Sequence, residues 1–247
     1  MPTTLSEALA LTRRPLAILL TDERPEQATQ FKEGKFGCVA AMLLASEKGK
    51  TVVFDRKTYG CPGGGTGLGF GEAYRGFPID CLLSTGGEVT LGNGHTMDFG
   101  EGERFFEQPL TARRWTDQLP IQDIPTQYLA VKPLEQVAEH EEPALVWFLA
   151  NADQLSALIF LCNYRRGDLE PVTAPWGAAC QSILFALAEL ERERPRGVIG
   201  FFDISQRHRV DRDTLSFTVP WALYEEMREN VAGSFLETEA WRAVRGR

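Results

Sequence analysis

Short, unbroken apolar runs constrain this chain more than any other feature. Residues 16–20, Leu-Ala-Ile-Leu-Leu, and residues 144–149, Ala-Leu-Val-Trp-Phe-Leu, are apolar at every position and have strand rather than helix length. Each predicts a buried strand, and a sheet of such strands needs helices packed on it. Further strands are expected at residues 51–55, 128–134, 197–203 and 215–219. Helices are expected at residues 3–13, at 39–46, after Asn151 or Asp153 as N-cap, after Cys180, from Pro220 to Asn230, and in the terminal WRAVRGR. In the helix after Asn151, Leu155, Leu158, Ile159 and Cys162 share a face, which assigns Cys162 to the core. The order predicts an α/β to α+β fold, a mixed β-sheet with packed helices.

One stretch resists this reading. Residues 56–102 hold 14 of the 23 glycines, which predicts loops and short strands rather than packed helix. Short strands are expected at 79–83, burying Cys81, and at 88–91, while 103–115 reads as irregular or weakly helical. Residues 116–126 carry Pro120 and Pro125 and form a connection. The expectation is a single domain over residues 1–247, with this connection as its one candidate sub-division.

The 247 residues are ample for a hydrophobic core, and 43% hydrophobic with 24% charged is ordinary for a globular chain. A net charge of −8 without a basic cluster argues against nucleic acid and anionic membranes as partners. Arg13, Arg14 and Pro15 break the first apolar run, so no signal peptide is expected, and no run reaches the ~18–20 residues of a membrane span. Five cysteines, an odd number, fit a reduced cytoplasmic protein better than a disulfide framework.

The candidate chemistry is sulfur. Cys38 opens one helix, Cys180 opens another, and Cys61 precedes the glycine run Gly63, Gly64 and Gly65. Helix–strand units at residues 38–55 and 180–203 echo each other as a short pseudo-repeat. A thiol in the first turn of a helix is biased toward thiolate by the helix dipole. Glycines without β-carbons let a backbone approach a ligand and aim N–H groups at it. The run lacks the Gly-Lys-Ser/Thr ending of a phosphate loop and the spacing of a dinucleotide fingerprint.

Four readings follow. Cys38, Cys61 and Cys180 can hold an iron–sulfur cluster of the 4Fe-4S type with one open iron, Cys81 being a poor fourth ligand. Cys61 can instead be a nucleophile, with His95 or His208 as base and His140 solvated. The glycine run can line a pocket for a small anion or metabolite in a non-catalytic module. Three cysteines and a histidine also satisfy zinc, though no paired C-x2-C spacing supports it. A small molecule or a redox protein is the expected partner, and Trp176 is placed to wall the site. A homodimer is expected if the residue 220–230 helix exposes its apolar face.

The chain also resembles a known family. Pro15-Leu-Ala-Ile, the helix-opening Cys38, Tyr59-Gly-Cys61-Pro-Gly-Gly with Leu68-Gly69 behind it, and Gly177-Ala-x-Cys180 are similar to the DUF169 pattern, as are residues 128–134 and 144–162 with Asn151-x-x-Gln154. The resemblance runs from about Leu16 to Glu229. It implies a cytoplasmic prokaryotic protein and places Cys38, Cys61 and Cys180 in the family pattern, with Cys81 and Cys162 outside it. It supplies no activity.

Overall fold

A computed structural model of the chain describes residues 4–72, 74 and 76–245. The first half contains α1 (Leu5–Ala8), β1 (Leu16–Thr21), α2 (Val39–Glu47), β2 (Val52–Phe54), α3 (Pro62–Gly67) and α4 (Ile79–Leu82). A hairpin of β3 (Glu88–Thr90) and β4 (Thr96–Asp98) follows, then α5 (Pro109–Thr116). The second half contains β5 (Tyr128–Pro133), β6 (Leu145–Ala150), α6 (Ala152–Asn163), β7 (Val172–Thr173), α7 (Gln181–Glu189), β8 (Gly197–Gly200) and β9 (Leu215–Pro220). Helices α8 (Trp221–Glu229) and α9 (Glu239–Arg245) close the described chain. The ends of two expected helices, Thr3 and Gly246-Arg247, lie outside the described residues.

Seven strands form one mixed sheet in the order β2-β5-β1-β6-β9-β8-β7, antiparallel except for β7 beside β8. The two apolar runs are its central neighbours: β1 pairs β6 with Leu16 opposite Trp147 and Ile18 opposite Leu145. Their side chains point alternately to two covered faces, which is why neither run alternates in polarity. On one face Leu16, Ile18, Trp147 and Leu149 pack against α2 and α7. On the other Val146, Phe148, Phe217 and Val219 pack against α1, α6 and α8. The fold is α+β, as expected. Strands on both sides of the 116–126 connection enter the same sheet.

Most helix boundaries follow local signals. Asn151 caps α6 through a capping box with Gln154, and Cys162 is buried against the Met227 sulfur at 3.5 Å. The apolar side of α8, Leu223, Tyr224 and Met227, is buried in the core and not presented outward.

The glycine-rich region departs from expectation in two places. Residues 79–82 are helical, not a strand: Ser84 Oγ donates to the Asp80 carbonyl at 2.6 Å and closes the turn, and periodicity cannot separate helix from strand over so short an apolar run. Residues 62–67 are also helical, although four of the six are glycine. Pro62 presets the first turn, and packing supplies what glycine's propensity lacks.

The pseudo-repeat is not established by the fold. The units α2–β2 and α7–β8 stand at corresponding places toward opposite ends of the sheet, but different insertions flank them.

Candidate functional site

Cys38, Cys61 and Cys180 each cap a different helix: α2, α3 and α7. All three line one cavity of about 190 Å³ on the α2/α7 face of the sheet. Their hydrogen bonds interlock. The Gly64 N–H donates to Cys61 Sγ at 3.2 Å, in the manner of a helix N-cap. The Cys180 thiol donates to the Gly63 carbonyl at 3.4 Å, joining α7 to α3. The Cys38 thiol donates to Gln206 Oε1 at 3.1 Å.

The predicted glycines divide. Gly63 lines the cavity. Gly64 and Gly65 are buried and do not line it. The Gly65 N–H is spent on the Cys61 carbonyl at 2.9 Å, within the helix. A β-carbon on Gly64 would lie 2.6 Å from the Tyr59 carbonyl oxygen and 2.7 Å from Val39, and one on Gly67 would lie 3.0 Å from Cys180 Sγ. Glycine is therefore needed here so that α3 can approach α2 and α7 closely. An open, ligand-cradling glycine loop, as expected from sequence, is not what forms.

The wall around the thiols is aromatic, made by Phe36, Tyr74, Phe77, Phe105, Trp115 and Trp176. Trp115 Nε1 donates to the Trp176 carbonyl at 3.2 Å, and the two indoles meet edge to face with centroids 4.9 Å apart. Trp176, 37% exposed, does wall the site as its position suggested. Gln181 Nε2 donates to the Tyr74 hydroxyl at 2.8 Å, fixing the ring from the first residue of α7.

Two carboxylates, Glu103 and Asp203, share the cavity, and among the described residues no Lys, Arg or His lines it. Burial pushes the Cys61 thiol up despite the Gly64 N–H, and neighbouring Cys38 and Asp203 add to the rise. Burial pushes Cys180 well up, reinforced by Cys61, Cys38 and Asp203. Burial, then Asp203, raises the Glu103 carboxyl, and burial with the two nearby thiols raises Tyr74. Burial and neighbouring thiols thus oppose the ionisation of Cys61 and Cys180, which a positive centre bound beside them would reverse.

The alternative participants lie elsewhere. His95, His140 and His208 are exposed, and none lines the cavity. Cys81, half-buried in α4, is also outside it. Among the described residues, no three His, Cys, Asp or Glu side chains are grouped to hold a metal ion.

Comparison with known proteins agrees with the sequence resemblance. The DUF169 family profile, described as an uncharacterised ArCR, matches residues 4–230 of the 247. The chain belongs to the DUF169 family. No curated protein and no solved structure gives a significant match. In this DUF169 chain the three cysteines assigned to the pattern are the three that meet. Asp203, Glu103, Tyr74 and Gln206 were not anticipated. Asp203 was visible only as the polar residue ending a predicted strand, and the others carry no sequence signal.

Proposed function

We propose that this protein binds an iron–sulfur cluster of the 4Fe-4S type through Cys38, Cys61 and Cys180, and serves a redox or small-molecule role in the reducing cytoplasm. The observation that carries the reading is the convergence of three cysteines, far apart in sequence, on one cavity. The residues fit such a group. The dipoles of α2 and α7 favour the negative charge of thiolates at their N-termini. The Gly64 N–H is placed to bond a ligating sulfur, one of the means by which proteins tune cluster potentials. A cluster takes each thiolate on a different iron, which three cysteines at the starts of three separate helices can supply.

When bound, such a group supplies one-electron transfer or a coordination position for a ligand. The protein supplies a site walled by aromatic residues, with no cationic side chain among the described residues that line it. All five cysteines are unpaired, in keeping with a reducing compartment. No helix among the described residues is long and apolar enough to cross a membrane.

The test is anaerobic purification and reconstitution, with iron and acid-labile sulfide analysis beside the absorption spectrum. The expected result is a broad visible band with about four iron and four sulfide per chain. Changing any one of Cys38, Cys61 or Cys180 to Ser should remove most of it, whereas Cys81→Ser and Cys162→Ser should not. A colourless reconstituted protein without iron or sulfide would overturn the proposal.

A further inference from the structure

The cavity contains an oxygen donor that the hydrogen bonds among the described residues leave free. Asp203 is only 7% exposed and lines the cavity with the three cysteines. Its Oδ1 accepts from the Ser205 N–H at 3.0 Å and the Ser205 hydroxyl at 2.7 Å. Its Oδ2 accepts no hydrogen bond from a described residue and is in no ion pair among them. Among the described residues no Lys, Arg or His lines the cavity, so none of them offers this buried carboxylate a cation there. A buried carboxylate normally has one.

The backbone that places Asp203 is unusual. Phe201, fully buried at the end of β8, has φ of 68°, a region costly for a bulky side chain. That residue turns the chain out of the sheet, two positions before the carboxylate. A connected set of hydrogen bonds then holds the turn: Gln206 Nε2 donates to Ser205 Oγ at 3.2 Å, and Gln206 Oε1 accepts from the Cys38 thiol. Asp203 is thereby tied to one of the three cysteines and shares the cavity with the other two.

We propose that Asp203 is the fourth protein ligand, binding through Oδ2 the iron that the three cysteines leave open. The inference rests on the cluster reading above. A carboxylate is a harder donor than a thiolate and exchanges more readily, so this iron would be the one that a ligand entering past Trp176 displaces Asp203 from. Glu103, the other carboxylate of the cavity, is exposed and serves as the control.

The experiment is anaerobic reconstitution with iron-57 of the full chain and its Asp203→Cys, Asp203→Asn and Glu103→Gln variants, read by Mössbauer and electron paramagnetic resonance spectra. In the parent and in E103Q, one iron in about four should show the higher isomer shift of an oxygen-ligated site. D203C should lose that distinction while keeping its iron and sulfide. D203N should keep its iron and bind added cyanide at least tenfold more tightly. Circular dichroism establishes that each variant is folded, and D203C remains informative if D203N is not. Spectra of D203C and D203N identical to the parent at full iron content would overturn the assignment of Asp203 and leave the cluster standing. Absence of iron and sulfide from the parent would overturn both.

Discussion

Gly63 and Gly64 are neighbours in one helix and do opposite things. A β-carbon on Gly63 meets nothing nearer than the Tyr74 hydroxyl at 3.7 Å, whereas one on Gly64 runs into the Tyr59 carbonyl and Val39. Alanine is favoured over glycine in a helix by about 1 kcal/mol. Gly63→Ala should therefore leave stability unchanged or raise it by up to about 1 kcal/mol. Gly64→Ala should cost about 1–3 kcal/mol, because backbone has to move to make room. Urea denaturation of the two variants compares them directly, and equal midpoints would refute the packing role given to Gly64. The same residue scale explains why the thiols were legible as a set and Asp203 was not. A cysteine opening an apolar helix leaves a mark in sequence, whereas an aspartate that follows a strand does not.

The link between β5 and β6 shows how an element is held by charge. Lys132 on β5 donates to both oxygens of Glu141, at 2.6 and 2.5 Å, and the Ala138 N–H donates to the same carboxylate at 2.8 Å. Burial disfavours the charge on Glu141, but these bonds outweigh it and hold the carboxyl below its ordinary value. The carboxyl is lower in the folded than in the unfolded chain, so its stabilisation is present above the unfolded value, near pH 4.3, and fades as pH falls through the folded one. Solvent screening limits it to about 1 kcal/mol. Glu141→Gln should thus lower the urea midpoint at pH 7 and make little difference near pH 3. A gap between parent and variant that does not shrink on acidification would contradict this account.

For the molecule as a whole, the sheet separates the side with the cavity from the side without. Trp147 and Phe148 are adjacent on β6, nearly fully buried, and point to opposite faces. Trp147 Nε1 also donates to Ser182 Oγ at 3.3 Å, anchoring the first turn of α7 just after Cys180. Truncating either to alanine should cost about 3–5 kcal/mol. Their effects on the site should differ: Trp147→Ala should lower the iron bound per folded chain, and Phe148→Ala should not. Iron content normalised to the folded fraction distinguishes them, and an equal loss in both would show that the two faces do not act separately.

The sequence by itself determined the mixed sheet, its two central strands, the capped helix after Asn151 and the candidate thiols. Each of those rests on interactions between residues close in the chain, namely strand-length burial, a capping box and a helix start. It misread residues 62–67 and 79–82, where tertiary packing outweighs glycine's propensity or the apolar run is too short to have a period. Only the tertiary structure decided that Cys38, Cys61 and Cys180 share one cavity, that the histidines do not, and that Asp203 joins the thiols. Those are contacts between distant segments, fixed by strand order and by how closely α3 can approach α2 and α7, and neither is written in any one stretch of the chain.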